Sequence, residues 1–125
     1  MLEQYQTTED VSIGASLTTI LEVTNTKGLP KCKIEVTNTG ANAFTDFAVR
    51  LKDHALGKWY TLSSGTDWAS VSVPWQLKVM DPDPMTLAAG LTTHVELDIG
   101  PAYGVQVQAK RTTATTAQVR MLFGE

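Results

Sequence analysis

The sequence predicts an all-β fold, a sandwich of two antiparallel sheets. Three observations point there. Apolar residues alternate with polar ones through most of the 125 residues, the period of a strand with one wet face. Turn-forming residues interrupt these runs about every eight to twelve positions. No stretch carries the apolar spacing of a helix. The expectation is seven to nine short strands in an immunoglobulin-like or jelly-roll sandwich, with an extended N-terminal arm.

Residues 1 to 10 form that arm, because Leu2 and Tyr5 are its only large apolar side chains besides Met1. An arm with so little core of its own is expected to lie along a neighbour's sheet edge or groove, with packing on its own sandwich as the alternative. Residues 11 to 125 form a single sandwich domain. Leu17, Thr19, Leu21 and Val23 are assigned to one face of the first long strand, and Cys32, Ile34 and Val36 to the inner face of the next. Both strands end in the same five residues, Glu22 to Thr26 and Glu35 to Thr39. Two copies do not make a repeat architecture, so the echo means shared turn chemistry built on Asn. Phe44 opens a strand that points Phe47, Val49 and Leu51 inward, and Lys58 to Leu62 returns as its hairpin partner. Pro74 marks an edge or a break, and Asp81 to Pro84 is a loop stiffened by two prolines.

The last third has the cleanest pattern. Val95, Leu97 and Ile99, then Tyr103, Val105, Val107 and Ala109, then Ala117, Val119, Met121 and Phe123 each alternate with mostly polar partners. Gly100-Pro101 and Thr112 to Thr116 separate the three runs, which predicts an antiparallel meander. Its wet face carries Gln106, Gln108, Lys110, Gln118 and Arg120, amides and cations without a carboxylate, a set suited to contact with a protein neighbour.

Composition excludes several function classes. With 42% hydrophobic and 18% charged residues the chain has enough apolar surface to fold, and no apolar run approaches the ~20 residues of a membrane helix. A net charge of −3 offers no attraction to phosphate backbones, so neither nucleic acid nor a membrane is an expected partner. The start of the chain lacks the basic and apolar blocks of a secretion signal. The single Cys32 falls on an apolar stripe and is expected to be a small buried hydrophobe. Charge is segregated along the chain: residues 1–26 carry −4, residues 27–58 +3, residues 59–100 −4 and residues 101–125 +2, which favours docking between copies.

No catalytic, cofactor or metal site is expected, and the chain is taken to be non-enzymatic. His54 and His94 lack converging acids and are expected to be solvated. Asp81, Asp83, Glu96 and Asp98 lack the turn glycine and third nearby carboxylate of a calcium loop, and Ser63-Ser64-Gly65 is not a nucleophile elbow. Trp59, Trp68 and Trp75 could stack on a sugar, as in a carbohydrate-binding sandwich module, or plug the core and anchor an interface.

Leu87 to Lys110 contains a Gly-Thr turn, a strand closing on Gly100-Pro101 and a Gln/Ala-rich strand, and Thr112 to Gly124 is a Thr/Ala-rich hairpin. With the Asn38-Thr-Gly-Ala-Asn-Ala-Phe44 turn, these stretches resemble small virion proteins of tailed bacteriophages. The resemblance implies a head or tail structural component, and a capsid decoration (cement) protein is favoured over a tail, connector or baseplate component. It further implies a homo-oligomer that binds the major capsid protein or another virion protein, resident in the virion and assembled in the host cytoplasm. The expected interface is Leu2, Glu3 and Tyr5 of the arm together with Gln106, Gln108, Lys110, Gln118 and Arg120.

Overall fold

The computed structural model describes residues 2–52, 54–63, 76–79, 86–99 and 102–125; the side chains of 45–48, 60–63, 76–79, 86 and 98 are not part of that description. Among the described residues there are eleven strands and no helix: β1 (Glu3–Gln6), β2 (Val11–Ile13), β3 (Thr18–Val23), β4 (Lys31–Asn38), β5 (Phe44–Lys52), β6 (Trp59–Ser63), β7 (Gln76–Val79), β8 (Thr86–Leu87), β9 (Thr92–Asp98), β10 (Gly104–Lys110) and β11 (Thr115–Gly124). One sheet runs β1-β11-β4-β9-β7, with β2 also on β11; the other runs β3-β10-β5-β6, with β8 also on β5. All pairings are antiparallel. The two-sheet sandwich is as expected from the alternation, and the nine strands of four residues or more match the expected number, with β2 and β8 as shorter additions.

The core lies between the sheets. Cys32, Ile34, Val36, Val95, Leu97, Val119, Met121 and Phe123 enter from the first sheet, and Val49, Leu51, Val105, Val107 and Ala109 from the second, each no more than 2% exposed. Burial pushes the Cys32 thiol well above its ordinary pKa, as suits a packed hydrophobe. The β5–β6 hairpin forms as predicted, closed by a turn in which the Gly57 N–H donates to the His54 carbonyl at 2.9 Å.

The meander does not form. β9 lies in the first sheet between β4 and β7, β10 in the second between β3 and β5, and β11 returns to the first. The connections cross between sheets, and neighbouring segments hold them there. At one end Ile99 N–H donates to Pro30 O at 2.7 Å and Tyr103 N–H to Lys52 O at 2.7 Å; at the other, Arg111 donates from its N–H to Gly14 O at 3.0 Å and from Nε to Ile13 O at 2.7 Å. A strand's alternation states which of its faces is wet and is silent about its neighbours, so the same pattern serves either topology.

Two bulges alter the predicted inner faces. The β10–β3 register shifts between Val107 and Gln108, so Ile20 and Val23 are buried while Thr19 is exposed and Leu17 is 48% exposed, against the face assigned to Leu17, Thr19, Leu21 and Val23. A second shift between Gln108 and Lys110 on β5 allows Phe44 to share the core with Val49 and Leu51 despite its opposite parity.

The repeated five residues do end in the same turn chemistry. Asn25 Oδ1 accepts the Lys27 N–H at 2.9 Å, and Asn38 Oδ1 accepts the Gly40 N–H at 3.0 Å. Asn38 is also the polar centre of the core, fully buried and completely bonded. Its Nδ2 donates to Asn42 O at 2.8 Å and Leu87 O at 2.9 Å, and its Oδ1 accepts the Thr115 hydroxyl at 2.8 Å.

The arm lies on its own sheet, in place of a neighbour's. β1 and β2 pair in succession with β11, separated by a kink at Thr7 to Asp10. Tyr5 packs edge-on against Phe123 with ring centroids 5.8 Å apart, and Glu3 pairs with Lys27 Nζ at 3.0 Å. The sheet was already waiting: β11 presents Phe123 and Met121 opposite Glu3 and Tyr5, so Tyr5, which cannot make a core alone, extends an existing one, while Leu2 stays 71% exposed.

Candidate protein interface

The outer face of the first sheet is a polar surface four strands wide, and strand register builds it. Gln6, Arg120, Glu35 and His94 stand in one row across β1, β11, β4 and β9. Gln4, Leu122, Lys33 and Glu96 form the next row, and Gln118, Thr37 and Thr92 the row on the other side. Opposed side chains on one sheet face lie within contact distance, so each row is a chain of possible partners. In the first row Glu35 Oε2 accepts from His94 Nε2 and from Arg120 Nη2, both at 3.0 Å. Thr37 and Thr92 share a hydroxyl bond of 2.9 Å, and Gln118 Nε2 donates to Asp10 Oδ1 at 2.6 Å.

Partial burial acts to raise the Glu35 carboxyl, but the hydrogen bonds and charges of His94 and Arg120 outweigh it and hold the group below its ordinary pKa. Glu35 is therefore an anion fixed between two donors, which orients the Arg120 guanidinium over the face. Beside this row lies an open cleft of about 180 Å³, lined by Gln6, Thr7, Glu35, Thr37, Gln118, Val119 and Arg120. Its lining is mostly amide, hydroxyl and guanidinium, able to bond a protein main chain or polar side chains. Two apolar residues stand on the same face, Leu122 at 37% exposed in the row next to Arg120 and Leu2 at 71% beside Gly124.

The eight residues expected to form one interface fall on three surfaces. Leu2, Gln118 and Arg120 lie on this outer face, while Glu3 and Tyr5 turn toward the core side of β1. Gln106, Gln108 and Lys110 belong to β10 and so to the opposite face of the molecule, because the expected meander is split between sheets. Gln106 is only 6% exposed, donating to Glu22 Oε1 and accepting from Arg50 Nη1 at 3.2 Å, and Gln108 Nε2 donates to Thr19 at 3.1 Å. Gln106 is thus a bridge within the second sheet, its amide already bonded on both its nitrogen and its oxygen.

Glu35 and His94 were not singled out together from the sequence, where 59 positions separate them; only the β4–β9 register brings them side by side. His94 is half-buried and bonded to Glu35, where a solvated ring was expected. His54 Nδ1 accepts the Leu56 N–H at 3.3 Å within the hairpin turn. Trp59 is half-buried: its Cη2 lies 3.0 Å from where a β-carbon on Gly104 would stand, and Lys52 Nζ sits over the ring at 5.6 Å from its centroid. Trp68, Trp75, Ser64, Gly65, Asp81 and Asp83 lie outside the described residues. Among the described residues no group of three or more His, Cys, Asp and Glu could hold a metal, and no helix is long and apolar enough to cross a membrane.

No family model matches the chain, and no curated protein matches it. Among solved structures, the chain is similar to the SPBc2 prophage-derived protein YomS, with a TM-score of 0.58, 10% identity, and coverage of 98% of this chain and 94% of that one. At that identity the likeness is one of fold, and it extends over nearly the whole of both chains: the two-sheet antiparallel sandwich is an architecture this chain shares with a prophage-derived protein.

Proposed function

We propose that the chain is a non-enzymatic structural protein of a tailed-phage virion, a capsid decoration protein that binds at junctions of the capsid lattice and stabilises the head. The observation that carries this reading is the near full-length likeness to a prophage-derived protein, which agrees with the resemblance of residues 38–44 and 87–124 to small virion proteins. The geometry supports contact as the mode of action. The outer face of the first sheet is several strands wide, offers Arg120 and a row of amides and hydroxyls, and has Leu2 and Leu122 exposed as well as a shallow cleft. Such a face makes many modest contacts with the major capsid protein or another virion protein. Copies held on one lattice then bind far more tightly than any single copy, because each further attachment is intramolecular. Since the arm is part of its own sheet, the gripping element in this reading is the sheet face, with β1 as its margin.

The test is co-sedimentation of the purified protein with DNA-filled heads that lack it, followed by imaging of the particles. Binding to the head shell, lost in the Gln118→Ala, Leu122→Lys double variant while its unfolding midpoint stays close to wild type, is the expected result. Density on the tail or baseplate would replace decoration by a tail component. Failure to bind any part of the particle, or a strong signal on a glycan array, would overturn the virion reading.

A further inference from the structure

The hydrogen-bonding phase of the first sheet leaves β1 with a defined set of outward backbone groups that no described strand uses. In an antiparallel ladder, successive residues of a strand direct their N–H and C=O groups alternately to the two sides. Thr39 N–H donates to Thr116 O at 3.0 Å, which assigns the even residues of β11 to β4. Thr7 N–H donates to Val119 O at 3.0 Å, which assigns the odd residues of β11 to β1. Glu3 and Tyr5 therefore bond to Phe123 and Met121, and the N–H and C=O groups of Leu2, Gln4 and Gln6 point away from the sheet. Among the described residues no strand pairs with that side of β1.

Edges of this kind are normally blunted by lysine, proline or a bulge. Residues 2 to 6 contain neither lysine nor proline, their one charge, Glu3, is neutralised by Lys27, and the kink at Thr7 to Asp10, with its Glu9 and Asp10 charges, begins only after them. We infer that the free edge of β1 pairs antiparallel with the same edge of a second copy, about a two-fold axis at Gln4, so that the first sheets of two molecules become one continuous sheet.

The occupant follows from self-complementarity. With the axis at Gln4, Gln4 opposes the partner's Gln4 and Leu2 opposes the partner's Gln6, so every outward N–H meets an outward C=O. Glu3 then opposes the partner's Tyr5, and its charge is already held by Lys27. Neighbouring registers are worse. An axis at Glu3 sets two carboxylates directly opposite each other, and an axis at Tyr5 sets Leu2 against the partner's Thr8, where the strand has left the ladder. A two-fold edge pairing closes on itself, so it gives a dimer and not a filament. This inference does not depend on the virion reading, and the experiment needs only the isolated protein.

Sedimentation equilibrium of the full chain provides the test. Wild type is expected to pass from the mass of one chain to that of two as its concentration rises from micromolar to about 1 mM. Gln4→Pro removes an outward N–H while sparing the bonds of Glu3 and Tyr5 to β11, so it should remain single-chain with an unfolding midpoint close to wild type. Wild type at one-chain mass throughout, or Gln4→Pro dimerising as strongly as wild type, overturns the inference. Should proline release the arm, Gln4→Cys decides. Paired residues at this position have Cα atoms about 5.5 Å apart, within disulfide reach. Mild oxidation should link Gln4→Cys dimers and not Gln6→Cys dimers, and equal linking of the two, or none with Gln4→Cys, refutes the register.

Discussion

Replacing Asn38 by alanine removes four side-chain hydrogen bonds from a site that water does not reach. Two of them, to Leu87 O and from the Thr115 hydroxyl, are buried; two, to Asn42 O and from the Gly40 N–H, are partly buried. A buried partner left unsatisfied costs about 1–3 kcal/mol and a partly solvated one about 0.5 kcal/mol, which places the loss near 5 kcal/mol. Unfolding entropy is about 2.1 cal/mol/K per residue near 60 °C, so for a chain of this length the midpoint should fall by roughly 19 °C. Thermal unfolding followed by circular dichroism at neutral pH measures it. Thr37→Ala is the control: it breaks the exposed Thr37–Thr92 bond and should cost less than about 0.5 kcal/mol. A fall of less than about 4 °C for Asn38→Ala would show that solvent or a rearranged turn replaces the lost partners, and that the residue does not hold β4, β8 and β11 together as described.

Three other variants or measurements bear on the core and the outer face. Gly104→Ala would place a β-carbon 2.9 Å from Val23 O and 3.0 Å from Trp59 Cη2, so it should lower stability by about 1–3 kcal/mol in urea unfolding and expose Trp59, with a shift in its fluorescence. Glu35 has a folded pKa below the ordinary 4.5; the stability it contributes is therefore complete above that value and lost as pH falls through the lower folded one. Glu35→Gln should flatten that acid limb when unfolding midpoints are followed from neutral pH down to about pH 3, and an unchanged limb would remove Glu35 as its cause. Cys32 is 2% exposed with its thiol pKa pushed up, so a thiol reagent should label it only as fast as the protein opens; rapid labelling of the native state would contradict its burial.

The alternating runs at Cys32 to Val36, Val95 to Ile99 and Ala117 to Phe123 are sufficient to specify strands, their buried faces and an all-β sandwich, because a period of two has only one structural meaning. The repeated Glu-Val-Thr-Asn-Thr likewise declares its turn chemistry, since an Asn side chain caps the main chain two residues on by local geometry alone. Strand neighbours are different. Whether β10 lies beside β9 or across the core from it depends on which packing covers both inner faces, a property of the whole chain, and that choice sends Gln106, Gln108 and Lys110 to one side and Gln118 and Arg120 to the other. Bulges are similarly invisible: one extra residue in β3 buries Ile20 and leaves Leu21 half-buried against the core with no change in local pattern. The outer-face row of Gln6, Arg120, Glu35 and His94 joins four strands distant in sequence. Alternation along the chain thus determines what each strand buries, while the candidate interface is made by register between strands, which only tertiary packing decides.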